Sequence, residues 1–148
     1  MADRTESEIV AVAADHAGYP LKQTLAGELR SAGYGVLDLG TNNSDSVDYP
    51  EFGAAMARAL LEGRAGRGVL ICGTGIGVSI AANRHKGIRA AVCHNVETAR
   101  LARAHNDANV LVLGGRIVDA DTAKACLRTF LDTAFEGGRH ERRVSMLD

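Results

Sequence analysis

Tryptophan is absent from this 148-residue chain and aromatic residues make up only 4% of it, so nucleic-acid bases have no platform to stack on. A dominant charge is missing as well. The net charge is −1, and no block of Lys or Arg is long enough to track a nucleic-acid backbone. No apolar stretch approaches the roughly 20 residues that cross a bilayer. The start of the chain, Met1 to Glu8, is polar and acidic and lacks the pattern of a signal peptide, and residues 1–8 are expected to be flexible. Cys72, Cys93 and Cys126 form an odd set with no close CxxC pair. That argues against a disulfide framework and a zinc site, and no His/Asp/Glu spacing suggests another metal. These absences leave a cytoplasmic protein with no metal, no other cofactor, and no nucleic-acid or membrane partner.

What is present fits one domain spanning residues 1–148: 46% apolar residues supply a core, and 24% charged residues are ordinary. Short apolar runs read as strands at Ile9 to Ala14, Val36 to Leu39, Gly68 to Cys72, Ile88 to Val92 and Val110 to Leu113. Helical patterns separate them. The first carries Leu21, Leu25 and Leu29, and the second opens at Tyr49-Pro50. A third runs from about Val78 to Asn83, and a fourth is capped by Asn95 and reaches Ala104. The last is capped by Asp119 or Asp121 and carries Leu127, Phe130 and Phe135, before a basic tail over residues 137–148. Alternation of this kind predicts a doubly wound, Rossmann-like α/β domain: five parallel strands with helices on both faces. Ligands of such sheets sit at the carboxyl ends of the strands. Asp15-His16, Gly40-Thr41, Cys72 to Gly75, Cys93-His94 and Gly115-Arg116 fall there.

The stretch Cys72-Gly73-Thr74-Gly75-Ile76-Gly77 is the most informative. Its glycines permit a tight turn, and successive N–H groups at a helix N-terminus form an anion-binding nest whose dipoles favour a thiolate at its mouth. The spacing is not that of a dinucleotide fingerprint, no Lys makes it a Walker loop, and no Arg closes it as in a cysteine phosphatase. A thiol beside an anion hole suits proton abstraction next to a carbonyl; the plain alternative is a strand-to-helix turn with a buried Cys. His16 is either a structural hydrogen-bonder or part of the site, and His105 could simply cap a helix C-terminus. His85, His94 and His140 are expected at the surface. Arg139 and Arg143 would share one face if the tail is helical, a pairing suited to phosphate.

Asp15-His16-Ala17-Gly18, Asp48-Tyr49-Pro50, Cys72 to Gly77, Ala81-Ala82-Asn83, Gly87 to Ala90, His105-Asn106-Asp107 and Gly138-Arg139-His140 together resemble ribose-5-phosphate isomerase type B. Galactose-6-phosphate isomerase subunits share that family. The resemblance runs in order from about Ile9 to Val144 and implies reversible aldose–ketose isomerisation of a phosphorylated sugar through a cis-enediol, ribose 5-phosphate first among candidates. It implies that Cys72 is the base, that Thr74 assists proton movement between the two substrate oxygens, and that His105 opens the furanose ring. Gly73, Gly75, Ile76 and Gly77 would line the anion hole, with Asp15, Tyr49 and Asn106 near the sugar hydroxyls. His16, Arg116, Arg139 and Arg143 would bind phosphate. A branch of the family places a Glu base where this chain has Val78, so the thiol branch is indicated. The family needs no metal and works as homodimers or dimers of dimers.

Rival readings are an isomerase of a tetrose or hexose phosphate and a non-catalytic sugar-phosphate sensor, which would have no use for the thiol. A geometric expectation follows from the fold. The helix from about Val96 to Ala104 should carry His105 roughly 13 Å from its own strand ends at 1.5 Å per residue. The Arg pair should be displaced likewise by the last helix. A dimer whose sites take Cys72 from one chain and His105 with the Arg pair from the other would reconcile this with the implied roles.

Overall fold

The computed structural model describes residues 8–148, so seven of the eight residues expected to be flexible lie outside it. Five strands, β1 (Ile9–Ala14), β2 (Gly35–Asp38), β3 (Arg67–Cys72), β4 (Ala90–Val92) and β5 (Val110–Gly114), form one sheet in the order β2-β1-β3-β5-β4. Every pairing is parallel. Six helices complete the domain: α1 (Tyr19–Ser31), α2 (Tyr49–Leu61), α3 (Ile76–Asn83), α4 (Val96–Ala104), α5 (Ala120–Asp132) and α6 (Arg139–Ser145).

Period-two alternation in the strands sorts the core into two layers. Val10, Val12 and Ala14 of β1 point to the same side as Val69 and Ile71 of β3 and Leu111 and Leu113 of β5. Leu25 and Leu29 of α1, Ala99 of α4 and Leu127 and Phe130 of α5 cover that side. The intervening Ala11, Ala13, Leu70, Cys72, Val110 and Val112 face the other side, under Met56 and Ala57 of α2 and Val78 and Ala82 of α3. The doubly wound arrangement is thus present as expected. The connection leaving β1 runs to β2 on one side and that leaving β3 runs to β4 on the other, so the crevice between the carboxyl ends of β1 and β3 is the topological switch point.

Some boundaries differ from expectation, each for a local reason. Helix α3 begins at Ile76, two residues early, because Gly75 at φ +83° turns the chain into it. Strand β4 starts only at Ala90: Ile88 donates to His85 and Arg89 is held by Asn109 and Asp107. Helix α5 stops at Asp132, leaving Phe135 beyond it, and the basic tail is helical as α6. Asp119, not Asp121, caps α5, its side chain accepting from the Thr122 N–H at 2.7 Å. Asn95 caps α4 in a reciprocal box with Thr98.

Lys22 is fully buried and donates to both carboxylate oxygens of Asp38 at 2.7 Å. Asp38 Oδ1 also accepts from the Gly40 N–H at 2.9 Å, and Gly40 and Thr41 bond back to Ala14. This ion pair therefore ties the end of β2 to the rim where β1 presents Asp15. Removing the carboxylate would leave a buried ammonium with Gln23 Oε1 at 3.1 Å and the face of the Tyr19 ring at 5.5 Å. Asp38→Ala should lower unfolding stability by about 2–3 kcal/mol. The loss should read as a lower denaturant midpoint at an unchanged m-value. A loss under about 0.5 kcal/mol, the scale of a surface pair, would contradict that role.

Candidate active site

The carboxyl edge at the switch point holds most of the expected groups. Cys72 ends β3 and is 5% exposed. Its Sγ accepts a hydrogen bond from the Gly75 N–H at 3.2 Å. That bond requires the chain to double back within three residues, which Gly75 permits through its left-handed backbone. A Cβ at Gly75 would also sit 3.2 Å from the Leu113 carbonyl carbon. The Thr74 hydroxyl accepts from the Ile76 N–H at 3.1 Å, so the loop N–H groups of residues 75 and 76 turn toward the mouth of the strand.

The other two cysteines are different. Burial pushes the Cys93 thiol up to about 11 and also raises that of Cys126. Cys72 is the one of the three whose sulfur accepts from a glycine-loop N–H among the described residues.

Asp15 is buried, and its Oδ1 accepts from the Gly18 N–H at 3.0 Å. His16 Nδ1 accepts from the Val47 N–H at 3.1 Å, so the neutral ring carries its proton on Nε2, free to donate. The Tyr49 ring lies so close to Gly77 that a Cβ there would come within 2.5 Å of its Cε1. Arg116 is drawn over the loop as its N–H donates to the Gly73 carbonyl at 2.9 Å, with its guanidinium 3.0 Å from where a Gly73 Cβ would stand. Asp15, His16, Tyr49, Cys72 to Gly77 and Arg116 thus form one cluster of acceptors, donors and one cation around a thiol.

His105, Asn106, Arg139 and Arg143 are elsewhere. Helices return antiparallel to the strands, and His105 is the C-cap of α4, beside the amino ends of β4 and β5. The six residues of β3 alone separate the edges by roughly 20 Å at 3.3 Å per residue. His105, Asn106, His140, Arg143, Val144 and Leu147 line a cavity of about 250 Å3. Arg139 and Arg143 are four apart on α6 and so share a face, as the spacing required.

His140 departs from its expected surface position. Its side chain is 10% exposed and its ring stacks on His105, centroids 4.2 Å apart and planes 14° apart. Burial, then the charges of His105 and Arg139, hold its pKa below the usual imidazole value. Glu136, unremarked in the sequence, places Oε1 within 3.8 Å of both rings' Nε2 atoms. Thirty-five positions separate His105 from His140, so no local spacing signals the contact.

Residues 10–147 match the sequence model of the family described as Ribose/Galactose Isomerase. The chain belongs to that family. It is 44% identical to ribose-5-phosphate isomerase B of Escherichia coli K12 over 138 residues, covering 93% of each chain. The solved structure of ribose-5-phosphate isomerase B from Clostridium thermocellum superposes with a TM-score of 0.93 at 50% identity, covering 94% of each chain. A ribose 5-phosphate isomerase structure from Thermotoga maritima matches with a TM-score of 0.93 at 48% identity, covering 95% of this chain and 97% of that one. Family membership therefore rests on the whole fold as well as on the motifs.

The different settings of the three thiols can be read directly. Iodoacetamide at neutral pH should label Cys72 at least about tenfold faster than Cys93 or Cys126, because the thiolate is the nucleophile. Peptide mass spectrometry over a time course would measure this. Equal rates, or Cys93 first, would contradict the assignment of Cys72 as the activated thiol.

Proposed function

We propose that the protein interconverts ribose 5-phosphate and ribulose 5-phosphate through a cis-enediol. The observation that carries this reading is the Gly75 N–H on Cys72 Sγ at the β1/β3 switch point. It lies in a chain alike over nearly its whole length to proteins named ribose-5-phosphate isomerase B. A thiolate at the mouth of a glycine loop supplies both needs of the reaction, a base for a carbon-bound proton and donors for the oxyanion that results.

The steps take each group in the role that the family resemblance implies. His105 opens the furanose: the C1 hydroxyl loses its proton, the bond from C1 to the ring oxygen breaks, and that oxygen gains a proton. Cys72 then removes the C2 proton of the open aldose, and N–H groups of residues 73–77 hold the charge that develops on O1. Thr74 passes a proton between O2 and O1, and Cys72 returns its own to C1, giving the ketose. Asp15, Tyr49 and Asn106 position the sugar hydroxyls. His16, Arg116, Arg139 and Arg143 hold the phosphate, so binding energy from the unreacting end aligns C1 and C2.

These roles place residues from both sheet edges around one substrate, and a homodimer supplies the missing half. In it each site takes Cys72 and the glycine loop from one chain and His105 with the Arg pair from the partner. Exposed apolar side chains beside the loop support a covered face there. Ile76 and Ile80, one turn apart on α3, are 59% and 53% exposed, and Ile117, against Gly114, is 54% exposed. Three free cysteines suit the reducing cytoplasm, and no helix among the described residues is long and apolar enough to cross a membrane.

The test is conversion of ribose 5-phosphate by the purified protein, with four- and six-carbon aldose phosphates as comparison. Turnover should survive a strong chelator, since the thiol and the loop do the chemistry. Cys72→Ser should keep the fold and lower turnover by about 10²–10⁴, with solvent-proton exchange at C2 falling in parallel. Near-normal turnover in a folded Cys72→Ser protein would place the base elsewhere.

A further inference from the structure

Two side chains outside the set just described converge on His105. His140, in the first turn of α6, lays its ring on the imidazole at 4.2 Å. Glu136 sets a single oxygen, Oε1, 3.8 Å from Nε2 of His105 and 3.6 Å from Nε2 of His140. The arrangement is anchored by backbone: the Glu136 N–H donates to the Ala104 carbonyl at 3.0 Å, at the end of the helix that presents His105. Gly137 and Gly138, at φ +70° and +56°, then turn the chain so that α6 returns onto that end.

Three potential ligand atoms within 4.8 Å of one another also raise a divalent cation as an occupant. Two features of the geometry disfavour it. Lone pairs of nearly parallel rings run side by side and do not converge on a point, and the charges of Arg139 and Arg143 both act on His140. The same features suit a proton-transfer residue held in one pose.

We propose that Glu136 and His140 are positioning residues for His105, the stacked ring fixing the plane of its imidazole and the shared carboxylate setting a negative charge opposite Nε2. The proposal rests on the reading of His105 as the ring-opening group. During ring opening His105 takes a proton from the C1 hydroxyl and delivers one to the ring oxygen, so it passes through an imidazolium. The Glu136 carboxylate stabilises that charge. At 3.8 Å it lies beyond hydrogen-bond range and so does not compete with the substrate for a hydrogen bond at Nε2. His140, kept neutral by its burial, supports the ring without opposing its charge.

Chemistry of the two sugars separates this role from a general loss of structure. Ribulose 5-phosphate cannot close a furanose, because its C5 oxygen carries the phosphate. The reverse reaction therefore starts from an open chain and needs no ring opening. Turnover numbers at saturating substrate in both directions would be measured for wild type, Glu136→Gln, His140→Ala and, as calibration, His105→Ala, because the ratio of the two kcat/KM values is fixed by the equilibrium constant. In Glu136→Gln and His140→Ala the forward turnover number should fall about tenfold or more, while the reverse stays within about threefold. Equal losses in both directions, or no loss, in either variant would overturn the proposal. Glu136→Gln decides the matter should His140→Ala fail to fold, since it keeps the side-chain shape at a position 54% exposed. If His105→Ala itself loses both directions equally, the ring-opening reading of His105 fails instead.

Discussion

A parallel sheet forces every connecting helix to run back against its strands, and the arrangement of this protein follows from that constraint. Strand ends gather at one edge, and the α4 C-terminus is delivered to the other. Asp15, Cys72, the glycine loop and Arg116 belong to the first edge; His105, with Arg143 beside it, belongs to the second. A single chain cannot fold these groups together without breaking the right-handed crossovers that make the sheet. Two chains can, if each offers its carboxyl edge to the other's α4 and α6. In this account the dimer is part of the chemistry, because the base and the ring-opening group reach one sugar only across it.

Within the carboxyl edge, the chemistry depends on backbone more than on side chains. Gly75 bends the chain so that its own N–H meets the Cys72 sulfur, and Gly77 lets the Tyr49 ring approach α3. The Lys22–Asp38 pair acts one layer further out, holding the Gly40-Thr41 rim against Ala14. Burial raises the Cys93 and Cys126 thiols, and the Cys72 sulfur is distinguished by the Gly75 N–H that donates to it.

The sheet and the carboxyl-edge cluster were legible in the sequence because both are local. Each strand is a short apolar run, and the glycine loop encodes its turn within six residues. Element ends were less legible where a tertiary contact decides them, as when Asn109 and Asp107 claim Arg89 and delay β4. His140 and Glu136 were missed for the same reason. Their meaning comes from meeting His105 across a long stretch of chain, and a basic tail gives no local sign that it will fold back as α6. Helical spacing did place Arg139 and Arg143 on one face, since that needs only the period of the helix.

The division of each active site between two chains is the central claim, and complementation tests it most directly. Cys72→Ala and His105→Ala would be mixed under conditions that exchange subunits and assayed for conversion of ribose 5-phosphate. Half the dimers at full exchange are mixed, and each then contains one site with both groups intact. Forward activity should therefore recover to about a quarter of wild type. A mixture that stays inactive while exchange is independently confirmed would put both groups in one chain's site and contradict the account.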